Sequence, residues 1–211
     1  MWKFDKKALS LYLKSNVARE TLVKQRKKDG NIFYYNIATS FDIETTSYTY
    51  KNEKCAFMYI WQFAINDFIF YGRSWDEFLQ AIDIISDVLD TNVNKRFVVY
   101  VHNLSFEFQF MRKYLDWENV FSLDERKPIK ALTTNGIEFR CSYILSGLSL
   151  ALTAKNLVSH KIEKLTGDLD YNLIRHEQTP LSKQELKYCE YDCLVLEAGI
   201  KDYIKRYTTV F

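Results

Sequence analysis

Phe97-Val98-Val99-Tyr100-Val101-His102-Asn103-Leu104-Ser105-Phe106-Glu107 is the stretch on which the fold turns. Its first five residues form a continuous apolar run, short enough to predict a strand buried on both faces. His102 and Asn103 then fall at the strand's end. Phe106 to Leu115 reads as the next helix, with Glu107 on its first turn.

On the N-terminal side, Asn31 to Thr46 is rich in Ile, Phe, Tyr and Thr and reads as a strand after the turn Lys27-Lys28-Asp29-Gly30. Ala56 to Ile65, interrupted by Gln62, and Phe68 to Tyr71 read as two more strands around Asn66-Asp67. Three strands with short connections predict an antiparallel meander. Ser74-Trp75-Asp76-Glu77 is a capping box opening a helix whose Phe78, Ile82, Ile85 and Leu89 share a face.

On the C-terminal side, Val120 to Cys141 holds a hairpin turning at Asn135-Gly136, and Leu148 to Val158 reads as helical. Gly167 to Pro180 reads as a loop. Ser182-Lys183-Gln184-Glu185 is a second capping box, opening a final helix expected to run to Tyr207. A meander, then helix, buried strand, helix and a long closing helix give an α/β order with a mixed central sheet. In such sheets chemistry collects at strand ends.

A chain of 211 residues, 47% hydrophobic, has enough apolar mass for a real core and is not disordered. With 6 Gly and 2 Pro it is neither collagen-like nor linker-rich. No run approaches the roughly 18 apolar residues of a membrane span, and the start lacks a secretory apolar region, so a cytoplasmic protein with no membrane partner is expected. Cys55, Cys141, Cys189 and Cys193 are scattered, as are His102, His160 and His176, which argues against zinc and leaves carboxylate-held metals open. Residues 1–30 carry nine Lys or Arg against three acids, a charge of +6 on a chain whose total is +2. A basic N-terminal arm ahead of an acidic domain over 31–211 suits a polyanionic partner; a solvated helical arm fits the same pattern.

Three acidic clusters stand on this frame. In Asp42-Ile43-Glu44 the alternation of strand side chains turns both carboxylates to one side, while Phe41 and Ile43 bury the other. Two adjacent like charges are unfavourable unless a cation compensates them, and a hard divalent ion is the natural one. Asn103 to Glu107 is the second cluster; a core role for Phe106 and a helix-dipole role for Glu107 fit it equally. The third is Tyr188 and Asp192, four apart on one face of the last helix, beside an apolar stripe of Leu186, Cys189, Cys193, Leu196 and Ile200.

Taken together, Asp42-x-Glu44, Asn103-x-x-Phe106-Glu107 and Tyr188-x-x-x-Asp192 resemble the three exonuclease motifs of family B DNA polymerases, the proofreading branch of the RNase H-like nucleases. Asp42-Ile43-Glu44-Thr45-Thr46, Tyr100 to Phe106, Gly167-Asp168-Leu169-Asp170-Tyr171 and Thr179-Pro180 look like the protein-primed, phage-type members, over roughly residues 36–205. The family usually has Asp where this chain has Glu107, which puts the second metal on a longer arm or behind a water. The family's active-site lysine directly precedes the Gly-Asp-Leu-Asp-Tyr segment; here Thr166 stands there, and Lys164 is the candidate.

The resemblance implies an RNase H-like fold and hydrolysis of a phosphodiester from the 3′ end of single-stranded DNA, with two Mg²⁺ or Mn²⁺ ions. Asp42 would bridge both ions, Glu44 and Asp192 would complete the first, and Glu107 would serve the second. Tyr188 would orient the attacking water. Thr45, Asn103 and Phe106 would contact the terminal nucleotides, with Lys164 near the scissile phosphate. Positions matching Tyr100, His102 and Phe110 touch the strand or the priming protein in that family, although the helical spacing of Phe110 from Phe106 suits a core residue. No Asp-x-x-Ser-Leu-Tyr-Pro or Tyr-x-Asp-Thr-Asp-Ser segment occurs, so the chain is expected to cut and not to polymerise, as a proofreading domain beside a polymerase domain or priming protein. A free-standing DNA or RNA exonuclease and a weakened single-strand-binding module are the alternatives.

Overall fold

The computed structural model describes residues 1–162, 169–170 and 173–210. In chain order the elements are β1 (Trp2–Lys3), α1 (Lys6–Tyr12) continuing into a π-helical turn over Leu13–Val17, β2 (Leu22–Lys27), β3 (Gly30–Tyr35), β4 (Thr39–Tyr50), β5 (Glu53–Ile65) and β6 (Phe68–Gly72). Then come α2 (Trp75–Leu89), β7 (Lys95–Val101), α3 (Leu104–Met111), β8 (Trp117–Ser122), β9 (Pro128–Thr133), β10 (Ile137–Cys141), α4 (Tyr143–Ser146), α5 (Leu150–Asn156) and α6 (Lys183–Tyr207).

The main sheet runs β1-β6-β5-β4-β7-β10-β9-β8, with β3 also pairing β7 and carrying β2 as its hairpin partner. β4, β5 and β6 form the expected antiparallel meander, turning at Asn66 and Asp67, whose φ of 45° and 74° are left-handed. β7 runs parallel to β4 and β10 and is buried on both faces from Phe97 to Val101. The sheet is therefore mixed, and its parallel centre is the part helices must cover. At the Asn135-Gly136 turn, Gly136 has φ 87°, and a Cβ there would lie 2.4 Å from the Asn92 backbone nitrogen, so the hairpin requires glycine.

On one face, α1, its π-helical turn and α2 pack Leu9, Leu13, Val17, Phe78, Ile82, Ile85 and Leu89 against Phe41, Ile43, Trp61, Phe63, Phe97, Val99 and Phe139. Each fully buried Leu, Ile or Phe there contributes about 1.5–3 kcal/mol by leaving water. On the other face lies α6, seated by Cys189 on Tyr59 and Ile60, Cys193 on Ala64 and Ile69, and Leu196 and Ile200 on Tyr34, Val98 and Tyr100. Ser40 Oγ donates to the Cys193 carbonyl at 2.9 Å, fixing the helix over β4. Both capping boxes form, at Ser74/Glu77 and Ser182/Glu185, and α6 ends at Tyr207 as its sequence indicates.

Some boundaries differ from the sequence reading. Asn31 to Thr46 is two strands: the chain leaves β3 at Asn36 and enters β4 at Thr39, so β3 pairs with the start of β7 and β4 with its end. The helix read at Phe106 to Leu115 begins two residues earlier and ends at Met111, and Leu148 to Val158 shortens to α5. Residues 1–30 form elements of this same fold, with Leu9, Leu13 and Val17 inside the main core. All four cysteines are free thiols, three of them buried. Among the described residues, no helix is long and apolar enough to cross a membrane.

Candidate active site

β4 delivers Asp42 and Glu44 to the α6 side of the sheet, because Phe41 and Ile43 are drawn into the opposite core. α6 brings Asp192 down on them, its depth set by the buried Cys189 and Cys193 on either side of that turn. Carboxylate oxygens of Asp42, Glu44 and Asp192 lie within 4.8 Å of one another. Just beyond Glu44 the β4–β5 register slips, Glu44 facing Ile60 and Thr45 facing Met58, so Tyr59 is a bulged extra residue. The bulge turns both Tyr59 and Ile60 toward α6, under the acid cluster.

Burial raises the Asp42 carboxyl well above its ordinary value, and Asp192 raises it further. Glu44 is raised by burial and then by Asp42, Asp192 and Glu107, with Arg175 pulling the other way. Asp192 is pushed up to about 6 by burial alone. Such a group of acids is held together against its own repulsion, as a cation site is before it is filled. An all-oxygen donor set of this kind suits a hard ion such as Mg²⁺ or Mn²⁺ better than a soft one.

Glu107, on the first turn of α3, is buried, and its Oε2 has no hydrogen-bond partner. Its carboxyl is raised by burial and by Asp42, so it faces the cluster, although it is not among the three acids that meet within 4.8 Å. Tyr188 lies half-buried one turn before Asp192 on α6. Asn103, at the N-cap position of α3, is exposed, and Phe106 is 42% exposed with its ring 5.1 Å from Phe110. Thr45 is half-buried beside the bulge. His102 is half-buried, its Nδ1 is 3.2 Å from Ser142 Oγ, and burial lowers its pKa, which favours the neutral ring.

Two positions named from the resemblance depart from it. Tyr100 is 1% exposed and points into the α6 side of the core, where its hydroxyl donates to the Val210 carbonyl at 2.5 Å, so it is not presented to a strand or partner. Phe110 is half-buried and packs on the main core, the role its helical spacing suits. Lys164 and the Gly167-Asp168 and Tyr171 positions lie outside the described residues.

Three further residues around the cluster belong to none of the motifs. Arg175, 4% exposed, reaches the Asp170 carbonyl at 2.7 Å and the Leu173 carbonyl at 3.1 Å, pairs with Glu185 at 2.7 Å and lies over the Tyr59 ring. Arg73 donates through Nε to the Tyr59 carbonyl at 2.7 Å and through its guanidinium to the carbonyls of His176 and Thr179. Together the two arginines tie the 173–180 segment to the bulge. Gln62, directly across the ladder from Asp42, is fully buried. Of the three, only Gln62 leaves a trace in the sequence, as the polar interruption of the apolar run Ala56 to Ile65.

No protein-family model and no curated protein matches the sequence. Solved structures do match. A ternary complex of Phi29 DNA polymerase with primer-template DNA and incoming nucleotide superposes with a TM-score of 0.66 at 16% identity, over 82% of this chain and 31% of that one. The same polymerase with single-stranded DNA gives 0.62 at 16% identity, over 82% and 32%. The Nibbler EXO domain of Aedes aegypti gives 0.46 at 12% identity, over 94% and 84%. The chain thus spans about a third of the length of the phage polymerase, and the third it matches is the exonuclease region. The mixed sheet, the α6 cover and the acids at their junction give this chain the RNase H-like exonuclease fold.

Proposed function

We propose that this chain is a metal-dependent 3′→5′ exonuclease domain acting on single-stranded DNA ends, of the proofreading kind found in phage-type polymerases. The observation that carries the reading is the convergence of Asp42, Glu44 and Asp192 within 4.8 Å at the α6–β4 junction of this fold. Acids brought so close from two separate elements, and raised together in pKa, are a costly arrangement for which a structural role offers no return.

When bound, two divalent cations supply positive charge at the attacking and leaving oxygens of an in-line displacement. Asp42 would hold both ions, Glu44 and Asp192 the first, and Glu107, with its partnerless Oε2, the second. Tyr188, one turn from Asp192, would orient the attacking water through its hydroxyl; its high intrinsic pKa suits positioning better than proton abstraction. Exposed Asn103 and Phe106 would take the terminal nucleotide, the amide on its backbone and the ring on its base, with Thr45 and His102 at the margin and Lys164 at the scissile phosphate. The natural partners in this reading are the 3′ end of a single strand and a polymerase domain or priming protein.

The test is to incubate 3′-labelled and 5′-labelled oligonucleotides with the chain and Mg²⁺ or Mn²⁺. Stepwise shortening from the 3′ end, abolished by chelator and by Asp192→Ala, is the expected result, and matched RNA oligonucleotides decide the sugar. Tight single-strand binding without shortening would instead favour a binding module, the reading to which Glu107 in place of aspartate lends itself.

A further inference from the structure

Gln62 is the residue of this site that neither the motifs nor the acid cluster explains. It sits in the middle of β5, opposite Asp42 in the antiparallel ladder, so the two side chains emerge on the same face as nearest cross-strand neighbours. Its neighbours on that face of β5, Ile60 and Ala64, are both apolar and pack under Cys189 and Cys193 of α6. Gln62 is 0% exposed. Apart from a soft contact with the Cys189 thiol, neither its amide nitrogen nor its amide oxygen has a hydrogen-bond partner. A buried primary amide left this way is destabilising, and an apolar side chain of the same length would fill the space without that penalty.

We propose that Gln62 is a positioning residue for the metal-binding carboxylates: in the cation-loaded site its Nε2–H group donates to Asp42, its partner across the ladder, fixing the rotamer that points at the cation. The inference rests on the proposed metal-dependent reading of the site. Asp42 reaches the cluster from a strand and has two oxygens to share between neighbours. A donor fixed beneath it on the adjacent strand sets which oxygen faces outward. Groups that hydrogen-bond to metal ligands act in this manner, orienting the ligand without touching the ion. On its other side Gln62 faces Tyr71 of β6, and the apolar side chains packed on its face of β5 and on α6 are Ile60, Ala64, Cys189 and Cys193.

The experiment compares the parent chain with Gln62→Met and Gln62→Leu by thermal melting with and without Mn²⁺, and by 3′-end shortening. In the metal-free chain both variants are expected to melt at or above the parent temperature, because an unsatisfied amide has been removed. At the same time the Mn²⁺ concentration giving half the maximal melting shift should rise about tenfold or more, and turnover at fixed Mn²⁺ should fall by about 10–100-fold. A merely structural glutamine gives the reverse pattern, a lower metal-free melting temperature with unchanged Mn²⁺ dependence in the folded fraction. Either that pattern or unchanged behaviour in both assays overturns the proposal. If the parent itself shows no Mn²⁺ shift, the metal-centre reading has failed; if the parent shifts and both variants shift equally, only the role of Gln62 has.

Discussion

Asp42 on β4 and Asp192 on α6 hold carboxylate oxygens within 4.8 Å of each other, although far apart in the chain. What brings them together is apolar: Cys189 and Cys193 seat α6 over β5, and Ser40 ties the helix to β4. Asp42→Asn should therefore abolish chelator-sensitive 3′-end shortening, by about 100-fold or more, while raising the melting temperature of the metal-free chain. Parallel activity and melting measurements check it; a variant that melts lower and keeps its activity would place Asp42 in the scaffold.

Divalent ions should stabilise the folded chain measurably. Saturation at about 100 times the dissociation constant is worth about 2.7 kcal/mol. In a domain of this size each kcal/mol moves the melting temperature by about 2–4 °C. Melting in Mn²⁺ should accordingly exceed melting in EDTA by several degrees, and the difference should vanish in Asp192→Ala.

Glu107 presents a carboxylate whose Oε2 has no hydrogen-bond partner and whose pKa the charge of Asp42 raises, after burial. Shortening the arm in Glu107→Asp leaves room for a water between carboxylate and ion, so activity should be kept or rise, as read by initial rates over a Mn²⁺ titration. A large loss at saturating Mn²⁺ would show that the longer reach is itself required.

Glu138 supplies the pH prediction. Burial alone would raise its carboxyl, but Arg140, Arg96 and Lys130 outweigh burial and hold it below the ordinary carboxylate range. Arg96 bonds one of its oxygens at 2.6 Å and Arg140 Nε the other at 2.6 Å. A depressed carboxylate stabilises the fold above the unfolded value of about 4.3, and this contribution disappears as pH falls through the folded value. Stability should thus decline on the acid side, and denaturant midpoints from pH 7 to pH 3 should show a flatter acid limb in Glu138→Gln. That variant should also lose about 3 kcal/mol at pH 7 by leaving two half-buried guanidinium groups without their acid.

The basic segment is tested by substitution and not by removal. Deleting residues 1–30 would take Leu9, Leu13 and Val17 out of the main core, each large-to-nothing change of this kind costing several kcal/mol, about 2–5 for a leucine. Lys24, Arg26, Lys27 and Lys28 lie on the exposed β2–β3 hairpin and have no carboxylate within ion-pair distance among the described residues. Changing all four to Gln should leave melting unchanged. If the hairpin neutralises phosphates, the salt slope of single-strand binding should fall by about 0.7 for each phosphate that is no longer neutralised. An unchanged slope would make it a solvated face.

Much of the frame was legible because its signals are local. The two capping boxes, the Asn135-Gly136 turn and the unbroken Phe97 to Val101 run each state their structure within a few residues, and each formed as read. Asn31 to Thr46 misled because its composition is strand-like throughout. The break at Asn36 exists so that β3 and β4 can meet opposite ends of β7, a tertiary demand that propensity does not express. Tyr100 misled for a related reason: on a strand buried on both faces, its alternation turns it into the α6 core, whatever its neighbours in sequence suggest.

By itself, then, the sequence determined the α/β order and the shared face of Asp42 and Glu44, and it marked Gln62 as a polar residue in an apolar strand, because side-chain periodicity follows from backbone geometry. Only the tertiary structure decided that Asp192 joins those two acids, that Gln62 lies across from Asp42, that Tyr59 is bulged beneath them and that Arg73 and Arg175 secure the neighbouring segment. These depend on strand register and on the depth at which α6 seats, and both are set by packing among residues distant in the chain.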